Sequence, residues 1–155
     1  MLHLTAHTPW AGHERLRAAA EGLGYSHFSM IVSVLSVCAG ASLGALLRWL
    51  LAGRLNPVFP ALPLGTLAAN LIGGYLIGVA IAVFANLPEL SPQARLFVVT
   101  GFLGGLTTFS TFSAEVVTQL QQGHTAWALA TALGHLLGSF ALTALGIATV
   151  AWLRP

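Results

Sequence analysis

The stretch Gly101-Phe-Leu-Gly-Gly-Leu-Thr-Thr-Phe-Ser-Thr-Phe112 decides how this chain is read. It lies inside a run from Gln93 to Gln122, 30 residues long, where a straight helix needs only ~20 to cross a bilayer. Gly104-Gly105 is followed by five hydroxyl side chains within the eight residues Leu106–Ser113. A glycine pair ahead of two β-branched hydroxyl residues is a poor place to continue a helix. A break there frees carbonyls at bilayer depth, where uncovered backbone is tolerated only if protein buries it or it coordinates something. Broken helices accordingly mark ion sites in transport proteins, with carbonyls turned to cations and helix N-termini to anions. The competing reading is an ordinary packing helix whose Ser and Thr bond back to their own carbonyls.

Composition places that stretch in a membrane. Of 155 residues, 56% are hydrophobic and 6% charged, against about 25% charged in a soluble domain. Lys and Asp are absent, so the charges are six Arg and four Glu. Mean hydropathy is +0.83, and 17 Gly suit helices that approach closely in lipid. A net charge of +2 without a basic cluster argues against nucleic acid as a partner. The single Cys38 provides no disulfide framework.

Hydropathy and its punctuation predict an all-α membrane protein with four spans, at about 30–52, 64–86, 93–122 and 124–153. Arg54-Leu-Asn-Pro57 closes the first, Pro60 and Pro63 keep the connector extended, and Ser91-Pro92 opens the third. Trp49, Trp127 and Trp152 fall near span ends, where amphipathic rings favour the headgroup region. Residues 1–29 are polar and hold four of the six His. They read as a disordered or surface extension without the pattern of a secretory signal, and Met30 is the expected natural start. A metal site built from His3, His7 and His13 is the less favoured reading, since histidines in a polar tail are usually just solvated.

Each span carries a glycine pair four apart: Gly40/Gly44, Gly74/Gly78, Gly101/Gly105 and Gly134/Gly138. Apolar helices gain nothing hydrophobic by meeting in lipid, so close backbone contact must supply the attraction. Arg48 and Arg54 face Arg95 and Arg154 across the membrane, two against two. Balanced loops remove the positive-inside preference and allow oppositely oriented copies to pair. Polar groups recur on single faces. Thr66, Asn70, Gly74 and Gly78 form one stripe on the second span, and Thr131, His135, Ser139 and Thr143 another on the fourth. An amide at mid-membrane needs partners, so Asn70 is read either as an interhelical bond or as a ligand. Phe109 and Phe112 share a face of the second half-helix.

Three segments carry a family resemblance: Gly40-Ala-Ser-Leu-Gly-Ala-Leu-Leu-Arg48-Trp, Pro63-Leu-Gly-Thr-Leu-Ala-Ala-Asn70, and Gly101 to Phe112 with Glu115. Together they resemble the CrcB/Fluc fluoride channel family, over roughly Met30 to Arg154. The resemblance implies a dual-topology homodimer of antiparallel copies in the cell (inner) membrane, exporting fluoride passively through two narrow pathways. It implies a structural sodium ion (Na+) at the dimer centre, held by the carbonyls of Gly104 and Thr107 from both copies. It assigns Phe109, Phe112 and Asn70 to the fluoride pathway, with Ser110 and Thr111 on its polar track and Arg48 at the aqueous vestibule. Thr131, His135 and Ser139 lie on a suitable stripe for the fourth-helix share. Fluoride is small and strongly hydrated, so such a pore must replace water with donors: amide N–H, hydroxyl O–H and the positive edges of phenyl rings.

Two other classes compete. An aspartyl protease is excluded by the absence of Asp, and no Gly-x-Ser-x-Gly elbow is present, which leaves only a remote Ser110–His135 dyad. A small proton-coupled exporter of cationic compounds is also a four-helix antiparallel dimer. It wants a membrane-embedded carboxylate, and the first span has none.

Overall fold

The computed structural model of the protein describes residues 11–154, with side chains from Ser26 onward. The histidine reading of His3, His7 and His13 lies outside the residues whose side chains are described. Among the described residues every regular element is helical. Four helices are long and apolar enough to cross a membrane: Ser26–Val58, Leu64–Asn86, Pro92–Gln121 and Thr125–Trp152. The second coincides with the expected span, and the third and fourth differ by single residues at their ends. The first helix as a whole runs Ala11–Leu55, so its backbone continues upstream of Met30 without a stop.

Local chemistry sets the helix ends. Asn56 and Pro57 open a 3-10 turn, Asn56–Val58. The Asn56 side-chain oxygen then accepts from the amides of Gly65 at 2.7 Å and Thr66 at 3.2 Å. Those are first-turn donors that the second helix, entered through Pro63, would otherwise leave unpaired. Ser91 Oγ accepts from Ala94 N at 3.2 Å, with Pro92 in the first helical position. After Gln121 the chain turns through Gly123 at φ +78°, and His124 N donates to the Gln119 carbonyl at 2.8 Å. That left-handed glycine closes the helix.

The first helix packs along the third span and the second along the fourth helix. A Cβ on Gly44 would strike the Phe102 carbonyl and lie 2.7 Å from Leu106 N. On the other seam, a Cβ on Gly78 would strike the Thr143 carbonyl. Backbones therefore touch with no side chain between them, the contact the glycine spacing predicts. Gly134 differs, since the closest atom to its Cβ position is Leu67 Cδ1 at 3.9 Å. Leu106 and Ala69 are fully buried at the centre with Leu103 and Ala80, while many large apolar side chains, Leu35, Leu43 and Trp49 among them, face outward.

The third span is irregular. An α-helical start, Pro92–Arg95, leads into a π-helical segment, Leu96–Leu103, and a short helix, Gly104–Leu106. Thr107 (φ −80°, ψ 155°) and Thr108 (φ −149°, ψ 117°) are extended, and Phe109–Gln121 resumes as α-helix.

Candidate ion pathway

Where the third span loses its helical dihedrals, the second helix supplies the missing partners. Asn70, 9% exposed, meets Thr108 with both ends of its amide. The Thr108 amide donates to Asn70 Oδ1 at 2.7 Å, and Asn70 Nδ2 donates to the Thr108 carbonyl at 3.0 Å. The side chain thus satisfies this peptide residue as a neighbouring β-strand would. The same Nδ2 lies 2.9 Å from His135 Nδ1 on the fourth helix. Thr108 in turn caps the following helix, its Oγ1 accepting from Thr111 N at 3.1 Å.

This rearrangement decides which carbonyls are left over. In an unbroken helix the Thr108 amide would serve the Gly104 carbonyl, and the Thr111 amide that of Thr107. Both amides are engaged elsewhere, by Asn70 Oδ1 and Thr108 Oγ1. The neighbouring carbonyls have partners. Leu103 accepts from Thr107 N at 3.0 Å and Thr107 Oγ1 at 2.9 Å, and Gly105 accepts from Arg48 Nε at 3.0 Å. Arg48 therefore reaches from the first helix to the third-span backbone just before the interruption.

The aromatic pair sits beside this clamp. Phe109 is 78% exposed and meets Phe112 edge to face, with centroids 5.4 Å apart at 75°. Phe112 stacks on the His135 ring at 4.6 Å and 27°. Together with Asn70, Thr107 and Ser139 they line a largely apolar groove of about 460 Å³ that holds no charged side chain. Ser139 also presses its backbone against Gly74, and Thr143 Oγ1 donates to the Gly74 carbonyl at 2.9 Å. Ser110 and Thr111 are exposed, their hydroxyls at 3.2 and 3.0 Å from Thr108 Oγ1. Ser110 pairs with Thr108 and His135 with Asn70, so no Ser–His nucleophile pair is assembled.

Deeper atoms lack partners. Thr131 Oγ1, on a fully buried residue, and His135 Nε2, on a residue 3% exposed, make no hydrogen bond. A second polar knot lies further along. Thr66 Oγ1 donates to Glu115 Oε1 at 2.6 Å, and Gln119 Nε2 donates to the Ala61 carbonyl at 3.0 Å. Glu115 Oε2 and Gln119 Oε1 are buried without partners. Gln119 was not among the expected residues, although the spacing Thr108, Thr111, Glu115, Gln119 marks one helix face. Among the described residues no cluster of His, Cys, Asp or Glu is arranged to hold a metal ion.

Comparison with known proteins fits this arrangement. Residues 35–147 match the family model described as CrcB-like protein, Camphor Resistance (CrcB). The fluoride-specific ion channel FluC of Burkholderia lata is 62% identical over 125 residues, covering 80% of this chain and 98% of that protein. FluC of Burkholderia pseudomallei strain 668 is 59% identical over 127 residues, covering 81% of this chain and 99% of its own. A match over most of the chain, with the clamp, the phenyl pair and the interruption inside it, identifies this protein as a member of the CrcB-like family.

Proposed function

We propose that this protein is a fluoride-selective channel of the cell inner membrane through which fluoride leaves the cell passively. The names of its relatives support the substrate. The observation that carries the reading is the groove beside the interruption. There Phe109, Phe112 and His135 line a largely apolar wall, with no full positive charge to trap an anion. Several weak donors in series let a strongly hydrated anion shed water and still leave. Ser110, Thr111, Thr131 and Ser139 extend the donor series along the helices, and Arg48 serves the vestibule. The groove's lining also lacks a carboxylate, which disfavours the proton-coupled exporter.

The active assembly in this reading is an antiparallel homodimer, and the interruption lies at mid-membrane. The two-against-two arginine balance supports dual insertion. Carbonyls of Gly104 and Thr107 whose regular donors are diverted fit a hard monovalent cation. Na+ held there by both copies would supply fixed positive charge that offsets the freed oxygens and joins the protomers.

Fluoride-electrode efflux from reconstituted vesicles, with chloride as comparator, tests the function. Fast fluoride release, slow chloride release and strong loss in Phe109→Ile or Phe112→Ile are expected. Equal release of both halides, with both variants unchanged, would refute it.

A further inference from the structure

The Asn70 amide is fixed in orientation by its grip on Thr108. Its oxygen takes the Thr108 N–H at 2.7 Å and its nitrogen gives to the Thr108 carbonyl at 3.0 Å. A flipped amide would set N–H against N–H and oxygen against oxygen. The atom 2.9 Å from His135 Nδ1 is therefore the NH2 group, and its second hydrogen points at that nitrogen. Nδ1 must then be the acceptor, so the ring is neutral and carries its hydrogen on Nε2. That Nε2–H is buried and unpartnered, and Phe112 covers one face of the ring.

We propose that His135 is a positioning residue. As the neutral Nε2–H tautomer it holds Asn70 on Thr108, and fluoride conduction depends on that state. The inference rests on the fluoride-channel reading. A protonated ring carries N–H on Nδ1, which would face the Asn70 NH2 donor to donor. The contact then parts, or the amide turns and releases both the N–H and the carbonyl of Thr108. Either way the interruption loses a constraint next to the Phe109–Phe112 pair. The polar groups on the elements packed around the ring do not offset this. Glu115, one turn beyond Phe112, is bonded to Thr66, and Arg48 to the Gly105 carbonyl. On the second helix, Tyr75 is bonded to Thr149. The fourth helix carries no other ionisable side chain.

Planar-bilayer recording separates this effect from HF leakage, because neutral HF carries no current. Fluoride current of the intact channel is expected to be level at alkaline pH and to fall as the pH is lowered from 8 to 4. The slope should approach about ten-fold per pH unit once the ring is charged. His135→Gln offers a non-titrating side-chain oxygen to the same amide hydrogen, and its current is expected to be flat with pH. His135→Leu, without an acceptor, should conduct less than His135→Gln at every pH. Imidazole ¹⁵N spectra of labelled protein at pH 8, assigned by the signal lost in His135→Gln, should show Nδ1 bare and Nε2 protonated. A flat wild-type current, a His135→Gln channel as acid-sensitive as the wild type, or the opposite tautomer overturns the proposal. A channel silent to fluoride at every pH instead overturns the channel reading and the conduction claim with it, while the spectrum still decides the tautomer.

Discussion

Replacing Asn70 by Asp changes one atom's chemistry at nearly constant volume, so packing drops out of the comparison. The oxygen that takes the Thr108 amide at 2.7 Å remains. The donor end becomes a second oxygen, set against the Thr108 carbonyl at 3.0 Å and His135 Nδ1 at 2.9 Å. Two buried hydrogen bonds are lost, at about 1–2 kcal/mol each, or about 2–4 kcal/mol together. Interhelical bonds measured in membranes average only about 0.6 kcal/mol, which sets a floor near ~1 kcal/mol. A proton taken up by the carboxyl would restore the bond to Thr108, and a shift of the ring hydrogen from Nε2 to Nδ1 the contact with His135, so these figures are upper bounds. For a chain of this size the upper estimate is a loss of about 4–16 °C in melting temperature. The unprotonated form also places a negative charge on the proposed route of an anion. Tryptophan fluorescence melting in detergent and fluoride-electrode efflux read the two consequences separately. Asn70→Leu, which loses all three contacts, should melt lower still. An Asn70→Asp protein that melts with the wild type and passes fluoride undiminished would refute the clamp and its place in the pathway.

Three further outcomes are expected. Gly78→Leu forces a side chain into the Thr143 backbone and should lower stability by about 1–3 kcal/mol, read as a lower melting temperature and poorer yield of monodisperse protein. Gly123→Ala and Gly53→Ala both enter open space, but only Gly123 has positive φ. The first should therefore cost about 1 kcal/mol, while the second should leave melting unchanged or raise it slightly. Exchanging Na+ for a bulky organic cation on both sides of a bilayer should abolish fluoride current, and undiminished current would remove the sodium from the mechanism.

Much of the fold was legible because the punctuation is local. Pro57, Pro63 and Ser91-Pro92 act through their own backbone constraints, so those span ends follow from them with little help from tertiary context. The stripe Thr66, Asn70, Gly74, Gly78 was equally plain as a helix face. What it touches was not, because four positions along one face meet two neighbours: Thr66 and Asn70 reach the third span, while Gly74 and Gly78 abut the fourth helix. Asn70 read either as an interhelical bond or as a ligand, and only the packing shows that its amide meets Thr108 and His135. Arg48 reads as a terminal charge near water, and only the packing of the first helix on the third span brings it to the Gly105 carbonyl. Gln119 went unnoticed because a glutamine near a helix end resembles a solvated residue until the Ala61 loop folds over it.

The glycine seams also bear on how the molecule moves. Where two helix main chains interlock like notched beams, as at Gly44 and Gly78, they cannot slide or pivot without unseating each other, since no pliable side chain cushions those joints. The bundle is then mechanically stiff, and the freedom left to it is the swing of individual rings and hydroxyls. Its fastest adjustments are rotamer hops of exposed side chains such as Phe109, on the picosecond-to-nanosecond scale rather than the slower scale of a hinged gate.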